Sequence, residues 1–272
     1  GLGAASYGRV HGANQRMGVA FLGCGARAQA HIDIVRRLRD SGKPIAPVAV
    51  CDVWDGQEDE YEQEFGGRVS RRRYAQGLFP SARKAGLAPD DRKHVAKDYR
   101  RLLELKEVDA VCIATPDHWH AKMTIDAAEA GKHVYVEKPM TRTLEEAQAV
   151  VEAAIRHNIV VTVGVQSMAD PTWAMANERI RAGRIGHVVQ AQTSFHRNDL
   201  RGQWRFQRLT REMNPKNIDW KMFLGLGFEA IKGVPLAPDL PFDRAVFGQW
   251  RCYWPFGGGP FSDMLAQQVT HM

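Results

Sequence analysis

The chain has 272 residues, of which 44% are hydrophobic and 25% are charged. It is long enough for two hydrophobic cores, which excludes a disordered or collagen-like protein. Charged residues or histidines interrupt every apolar stretch before it reaches the ~18 residues of a membrane-spanning helix, which excludes an integral membrane protein. The net charge of +6 suits a small anionic ligand and falls short of a dedicated nucleic-acid surface.

Both ends of the sequence have the composition of truncated segments. Residues 1–14 are small, rich in glycine and alanine and without periodicity, so we interpret them as the remainder of an export or processing segment outside the fold. The last residues form an amphipathic run that reaches Met272 without a helix-terminating residue. The pattern predicts a fragment of a longer protein.

From Met17 to Val165, apolar runs alternate with amphipathic stretches, which predicts βαβ units around a parallel sheet. The runs are nearly continuous, as expected of strands covered on both faces. Predicted strands are residues 18–22, 46–51, 94–96, 110–114, 133–136 and 160–165. Spacings of three and four predict helices over residues 28–39, 119–130 and 144–157.

Two regions depart from this alternation. Residues 55–92 are strongly charged and longer than an ordinary connection, so we predict a helical excursion with a solvated charged face. After Val165, a helix (171–182), a strand (187–196) and a stretch rich in Trp, Pro and Gly predict a second, α+β domain. The predicted division is therefore a residual segment (1–14), an α/β domain with a parallel sheet (15–166) and a truncated α+β domain (167–272).

The first motif runs from a strand through Gly23 and Gly25 into a helix. Gly23 permits a tight turn, and Gly25 lets the backbone approach a pyrophosphate at the helix N-terminus. The next strand ends at Asp52, where an acid binds the ribose hydroxyls of a dinucleotide. Because an acid repels a 2′-phosphate, NAD is favoured over NADP, and Arg27 keeps NADP open as the alternative.

The second motif closes a strand with Thr115 and Pro116 and opens a helix. Ligands of doubly wound sheets bind at the carboxyl ends of strands, which predicts that this turn lies beside the nucleotide. Asp117, His118 and His120 could ligate a metal, but no further cluster completes a set, so no metal site is predicted. We interpret His118 as an exposed residue at the helix start.

The third motif is a strand that ends in Glu137, Lys138 and Pro139. A lysine directly before proline is held out of the helical region, and its peptide bond to proline can be cis. The ammonium group is therefore directed rather than loose. In isolation, a glutamate beside a lysine is ordinarily a surface pair, and it becomes informative together with the other two motifs.

These motifs occur in order with Gly164, Gln166 and the run from Gly257 to Asp263. Together they resemble the glucose–fructose oxidoreductase / inositol dehydrogenase (Gfo/Idh/MocA) family, over nearly everything from Arg16 to Met272. The Gly/Ala-rich N-terminus is similar to the segment after a twin-arginine signal in exported bacterial members. The resemblance implies a periplasmic or otherwise exported protein, with the cytoplasm as the alternative.

The resemblance implies an N-terminal Rossmann domain that binds NAD(P) and a C-terminal domain with a largely antiparallel sheet that covers the nicotinamide. It implies oxidation or reduction of a secondary hydroxyl on a sugar, cyclitol or related polyol, with Lys138 over the reacting carbon. It implies a homo-oligomer through the C-terminal sheet. The implied cofactor contacts are Gly23, Gly25, Ala26, Arg27, Asp52, Thr115, Pro116, His120, Glu137, Lys138 and Gln166.

The sequence departs from the family pattern in the second domain. Members commonly carry an aspartate and a histidine four residues apart on one helix, as an acid/base pair. This chain has Asp263 but Gln267 at the second position, and His271 follows four residues later. Glutamine does not exchange a proton at neutral pH, so Asp263 and His271 are the candidate acid/base residues, or His271 is a plain helix histidine.

Substrate contacts are predicted at Gln267 and at His196 and Asn198, which end the predicted strand. Two other functions stay open. The first is an NAD-dependent glycoside hydrolase that oxidises a sugar transiently and eliminates the aglycone. The second is a nucleotide-binding sensor without catalysis, which Gln267 favours and Lys138 opposes.

Overall fold

The structure, a computed structural model, describes residues 16–65, 68–166, 168–194, 202–205 and 207–270. Its strands are β1 (Met17–Leu22), β2 (Ile45–Cys51), β3 (Gln57–Phe65), β4 (Arg68–Gln76), β5 (Val95–Ala96), β6 (Ala110–Ile113), β7 (His133–Glu137), β8 (Val161–Gly164), β9 (Glu229–Ile231) and β10 (Val234–Pro235). Its α-helices are α1 (Ala26–Asp40), α2 (Leu78–Ala85), α3 (Arg100–Leu103), α4 (His120–Glu129), α5 (Leu144–Arg156), α6 (Pro171–Arg181), α7 (Trp220–Leu224), α8 (Arg244–Gly248) and α9 (Ala266–Thr270). Within these ranges no helix has the length and hydrophobicity needed to cross a membrane.

Six strands form one parallel sheet in the order β5-β2-β1-β6-β7-β8. This is the strand order of the Rossmann fold, with its topological switch point between β1 and β6. The prediction of an α/β fold with a doubly wound parallel sheet is confirmed. The predicted strands between residues 18 and 165 all form, with ends that shift by one or two residues.

Neighbouring residues of a strand point to opposite faces of the sheet, and in this sheet helices cover both faces. Phe21 of β1 is fully buried in a cluster with Ile32 of α1 and Leu78 of α2. Leu22, the next residue, is fully buried in a second cluster with Met123 of α4. The two layers of helices hold the carboxyl ends of the strands in one plane, where a ligand site can form.

The charged stretch after β2 corrects the sequence prediction. Residues 55–92 contain the short helix α2, but most of the stretch before it is the antiparallel hairpin β3–β4 rather than a helical excursion. The hairpin sets an acidic strand against a basic one, with ion pairs between Glu58 and Arg73 and between Glu60 and Arg71. Opposite charges on facing strands stabilise a hairpin, a pairing that helical periodicity does not reveal.

The predicted strand over residues 187–196 is also wrong for the part that the structure describes. Residues 187–194 have no strand assignment, and no described residue pairs with them in a ladder. An extended segment becomes a strand only when a neighbour satisfies its backbone hydrogen-bonding groups. The described antiparallel pairs are β3–β4 and the short β9–β10.

The later part of the chain folds back onto the sheet. Residue Ile218 pairs with Trp54 just after β2, and a small core that includes Phe223 and Phe256 lies beyond it. The carbonyl oxygen of Phe223 lies 2.8 Å from His118 Nε2 and accepts a hydrogen bond from Trp119 Nε1 at 3.0 Å. His118 is therefore fully buried and not exposed as predicted, and burial lowers its pKa to about 3.

Candidate functional site

A cavity of about 600 Å³ lies at the carboxyl ends of the parallel strands, between the Rossmann sheet and the later part of the chain. Its volume lies in the range of small-molecule sites. The predicted site residues that line it are Gly23, Gly25, Ala26, Arg27, Asp52, Thr115, Pro116, Lys138, Gln166, Asp263 and Gln267. His120 and Glu137 do not line it, and His196, Asn198 and His271 lie outside the described residues.

The two glycines of the first motif have different structural roles. Gly23 has φ +82°, and a Cβ atom there would lie 2.7 Å from the backbone nitrogen of Thr115. Gly25 precedes α1, and a Cβ atom there would meet nothing within 4 Å. Gly23 is thus required by the packing of the turn, whereas Gly25 leaves open space in front of a helix N-terminus, where an anion binds favourably.

Asp52 lies directly beside the turn that leads into this helix. Its Oδ2 accepts a hydrogen bond from the Cys24 backbone N–H at 2.6 Å, and its Oδ1 accepts one from the Trp54 N–H at 2.8 Å. Burial raises the pKa of Asp52 to about 6, against the opposing effect of these two bonds and of Lys97. The carboxylate is fixed in orientation and keeps lone pairs for hydroxyl donors of a ligand.

Glu137 is not among the residues that line the cavity, and it contacts residues behind the cavity wall. Its Oε1 accepts a hydrogen bond from Arg27 Nε at 2.8 Å and lies 2.7 Å from His31 Nε2. Burial would raise the pKa of Glu137, but these two hydrogen bonds outweigh it and the pKa lies below its ordinary value. An ionised Glu137 therefore positions Arg27, which does line the cavity.

His120 also lies behind the cavity lining, where it contacts two backbone carbonyl groups. It is 1% exposed, and its ring nitrogens lie 2.6 Å from the carbonyl oxygen of Pro139 and 3.0 Å from that of Thr115. The imidazole thus joins the second motif to the third. It fixes the turn at Thr115 against the segment that carries Lys138.

Lys138 forms the most directional contact of the cavity. The Lys138–Pro139 peptide bond is cis. Its Nζ donates hydrogen bonds to Asp263 Oδ1 and to the Asp263 carbonyl oxygen, each at 2.6 Å. The side chains of Lys138 and Asp263 are 12% and 6% exposed, so the ion pair is largely shielded from water.

The other carboxylate oxygen of Asp263 has its own partners. Trp204 Nε1 donates a hydrogen bond to Oδ2 at 2.7 Å, and Arg251 Nε lies 3.4 Å from it. Burial would raise the pKa of Asp263, but the charges of Arg251 and Lys138 outweigh it and hold the pKa below its ordinary value. Asp263 is therefore ionised at neutral pH.

Arg251 is the residue of this cluster that sequence reasoning missed. It lies in a 3-10 turn (Trp250–Cys252) and contacts Asp263 across the glycine run that begins at Gly257. No motif marks it, because its partner is separated from it by an irregular turn. The glycine run was the available signal, since it permits the chain to reverse between the two residues.

Asp263 and Gln267 both line the cavity, as their predicted placement on one helix face requires. They do not lie on one regular α-helix, because Phe261–Leu265 is a π-helical turn and the α-helix begins at Ala266. A π turn adds a residue to the helical repeat and is frequent at functional sites. Gln267 thus faces the cavity with an amide that binds and does not titrate.

Asp117 is a second buried carboxylate near this cluster. It is 2% exposed, and neither of its carboxylate oxygens has a hydrogen-bond partner among the described residues. Burial raises its pKa, while the charges of His120 and Arg251 oppose the shift. An unpartnered buried carboxylate is costly, which is typical of a region under functional constraint.

Three observations indicate that a dinucleotide fits this site. Gly25 leaves the approach to the N-terminus of α1 open. The hydroxyl oxygen of Thr115 is buried at the cavity wall without a partner among the described residues. A single cavity connects Asp52 with Lys138. Across the described ranges, no group of three or more His, Cys, Asp or Glu residues is arranged to hold a metal ion.

Several curated proteins are similar to parts of this chain. Levoglucosan dehydrogenase from Pseudarthrobacter phenanthrenivorans is 36% identical over 116 residues, which cover 41% of this chain and 30% of that protein. The scyllo-inositol 2-dehydrogenase (NAD(+)) of Bacillus subtilis is 43% identical over 94 residues, 35% of this chain and 28% of its own. The alpha-N-acetylgalactosaminidase of Shewanella oneidensis is 26% identical over 209 residues, 75% of this chain and 39% of its own.

A solved structure of levoglucosan dehydrogenase in complex with NADH superposes with a TM-score of 0.48 at 27% sequence identity, over 63% of this chain and 41% of that one. This chain therefore spans less than half the length of the relatives it matches. Residues 17–165, more than half of the chain, match the family described as oxidoreductases with an NAD-binding Rossmann fold. The match confirms NAD as the cofactor, and the chain belongs to the Gfo/Idh/MocA oxidoreductase family.

Proposed function

We propose that this protein transfers a hydride between NAD and a secondary hydroxyl group of a sugar, cyclitol or related polyol. The observation that carries the proposal is the ion pair between Lys138 and Asp263, which lies in the same cavity as the Gly25 and Asp52 dinucleotide elements. A shielded ammonium group directed into a ligand cavity suits catalysis at an alcohol oxygen. The similarity to levoglucosan and inositol dehydrogenases supports this substrate class.

In the proposed mechanism, the nucleotide lies between Asp52 and Lys138. Asp52 would hold the ribose hydroxyls, and the N-terminus of α1 would hold the pyrophosphate. When bound, the nicotinamide supplies the acceptor for the hydride that leaves the alcohol carbon. The residues of the chain supply orientation and the proton transfer.

Lys138 acts on the substrate oxygen. Its Nζ donates a hydrogen bond to the hydroxyl oxygen and stabilises the negative charge that develops as the O–H bond breaks. Asp263, ionised and 2.6 Å from the same nitrogen, takes up the released proton through Lys138. Gln267 lacks a titratable group and is assigned to substrate binding, so the proton path of this protein does not need a histidine at that position.

A panel of sugars and cyclitols tests this function with the purified full-length protein and added NAD. Formation of NADH together with one ketone per turnover is the expected result. NAD binding without turnover of any sugar or polyol would contradict the proposal and favour the sensor interpretation. The intact Lys138–Asp263 pair speaks against a sensor.

A second candidate function is NAD-dependent glycoside hydrolysis. The similarity to alpha-N-acetylgalactosaminidase supports it, because that similarity covers 75% of this chain. In such a reaction the hydride returns to the sugar, so no net NADH accumulates. Release of aglycone from aryl glycosides without NADH formation would identify a hydrolase in the same experiment.

We also propose export to the periplasm and a homo-oligomer. The composition of residues 1–14 supports export. Fractionation of cells that express the full-length gene, and sedimentation of the purified protein, test these two proposals separately from the chemistry.

A further inference from the structure

The Asp52 end of the cavity is bounded by two segments outside the parallel sheet. One is the β3–β4 hairpin, whose Tyr74 and Gln76 line the cavity. The other is the stretch that contains Gln207 and Arg208, which also line it. These segments are more than 130 residues apart in sequence, so their meeting at the cavity is a tertiary feature of this chain.

Arg208 connects the two segments. Its Nη1 donates hydrogen bonds to both carboxylate oxygens of Asp59, at 2.7 and 2.9 Å. The guanidinium carbon lies 4.8 Å from the centre of the Tyr61 ring and 5.4 Å from that of the Tyr74 ring. These distances allow cation–π attraction in addition to the ion pair. We name this group of four residues the clasp.

The clasp lies beside the position assigned to the ribose. Tyr74 is 7% exposed, and burial raises its pKa to about 12. Tyr74, Arg208 and Asp52 all line the same cavity, and the charges of Arg208, Asp59 and Asp52 act on the Tyr74 hydroxyl group. An open or a closed clasp therefore changes access to the adenosine end of the cavity.

The later segment is anchored independently of the clasp. Gln249 Nε2 donates a hydrogen bond to the carbonyl oxygen of Gln207 at 3.0 Å. The carbonyl oxygen of Glu212 accepts one from Trp54 Nε1 at 3.1 Å. Loss of the Arg208 contact thus removes the ion pair between the segment and the hairpin, while these hydrogen bonds and the packing of Met213 against Tyr74 stay in place.

We propose that the clasp holds the adenosine end of NAD in the cavity and sets the rate at which the nucleotide dissociates. Asp59 is a positioning residue in this arrangement, because it acts on the nucleotide through Arg208. The inference rests on the proposed function only in the identity of the nucleotide. The side chains of Arg208 and Asp59 are 35% and 30% exposed, so salt weakens the pair and water can compete for it.

The test measures dissociation of NADH by stopped-flow fluorescence, with excess NAD as the competitor and no sugar present. Asp59→Asn and Arg208→Met are each expected to speed dissociation by about threefold to tenfold, the range for a partly exposed ion pair with cation–π support. The double variant is expected to match the single variants, since either substitution breaks the same contact. Asp59→Glu is expected to keep a rate close to that of the unmodified protein.

Glu60→Gln is the matched control. Glu60 follows Asp59 on the same strand, points to the opposite face and pairs with Arg71 across the hairpin. Its removal costs the hairpin an ion pair but leaves the clasp intact, so its dissociation rate is expected to be unchanged. In the unmodified protein, raising the salt concentration should speed dissociation, and in Asp59→Asn it should not.

Equal dissociation rates in Asp59→Asn and Glu60→Gln, or additive effects in the double variant, would overturn the inference. A salt-independent rate in the unmodified protein would overturn it as well, even if a variant fails to fold. Failure of the unmodified protein to bind NADH would instead overturn the proposed function, from which this inference takes its nucleotide.

Discussion

The two ends of the cavity are assembled in different ways. At the Asp52 end, the residues that face the ligand follow β1 and β2 and meet because parallel strands end at one edge of the sheet. At the Lys138 end, the ion pair joins residues 125 positions apart, and Asp263 comes from a segment outside the sheet. The sheet thus supplies the glycine turn and the carboxylate of the Asp52 end, whereas the ion pair of the Lys138 end depends on how a distant segment folds back onto the sheet.

The largest effect is expected from a substitution that disrupts the Lys138 end of the cavity and leaves the Asp52 end intact. Lys138→Ala removes the group that we propose stabilises charge on the substrate oxygen, so turnover is expected to fall by about a thousandfold, within the range for acid–base and electrostatic catalysis. The Kd for NADH is expected to change by less than about threefold, since Asp52 and the α1 N-terminus supply most of the binding. Steady-state kinetics and fluorescence titration measure the two.

Lys93→Ala is the control for that experiment. Lys93 is exposed and pairs with Glu107 far from the cavity, so both turnover and NADH affinity should stay at their original values. Full turnover in Lys138→Ala would contradict the assignment of Lys138 and the separation of the two ends.

A second prediction separates the two glycines of the Asp52 end. Gly23→Ala forces a side chain into a left-handed backbone and against Thr115, so the free energy of unfolding should drop by about 3 kcal/mol. Gly25→Ala meets no neighbouring atom, so stability should be retained while NADH affinity falls by about tenfold, because the methyl group occupies the phosphate approach. Urea unfolding and NADH titration distinguish the two outcomes, and loss of stability in both variants would contradict them.

A third prediction concerns pH at the Asp52 end. Because the pKa of Asp52 is raised to about 6, the carboxylate becomes protonated between pH 7 and pH 5 and loses acceptor capacity. The Kd for NAD is expected to rise by about tenfold over this interval. Asp52→Asn should bind NAD weakly at both pH values, and Asp40→Asn, which removes an exposed carboxylate paired with Arg39, should keep the pH dependence.

The raised pKa of Asp52 also makes the free energy of unfolding depend on pH. The pKa of Asp52 in the folded protein lies above the ordinary value of an aspartate, so the folded protein binds more protons than the unfolded chain between the two values. The contribution of Asp52 to stability is therefore present below about pH 4 and is lost as the pH rises through about 6. A pH-independent Kd for NAD in the unmodified protein would contradict the role of Asp52.

The smallest effect is expected at Asp117, whose buried carboxylate lowers the free energy of unfolding near the Lys138 end of the cavity. Asp117→Asn replaces a buried carboxylate that has no hydrogen-bond partner within the described ranges with a neutral group of the same shape, so the free energy of unfolding at pH 8 should rise by about 1 kcal/mol. Because the pKa of Asp117 is raised, the penalty of its charge is present above that pKa and disappears at low pH. The gain in urea unfolding should therefore vanish near pH 4, and a gain of equal size at both pH values would contradict the explanation.

Local patterns predicted most of the Rossmann part. Glycines at fixed offsets, an acid at the end of the second strand and nearly continuous apolar runs each depend on neighbours within a few residues, and those features formed as expected. The helical prediction over residues 55–92 failed, because the hairpin depends on acids and arginines of two strands facing each other. The prediction that His118 is exposed failed for a similar reason, since the segment that buries it lies 105 residues away in sequence.

The sequence by itself determined the parallel sheet, the glycine turn after its first strand and the acid at the end of its second strand, because each depends on short-range periodicity and backbone restriction. Only the tertiary structure decided that Arg251 and Trp204 fix Asp263 beside Lys138, that Glu137 acts through Arg27, and that Arg208 reaches the hairpin. Those contacts join residues that no sequence period relates. They form because the packing of distant segments brings oppositely charged or hydrogen-bonding groups together, both where the pair is buried, as at Asp263, and where it is partly exposed, as at Arg208.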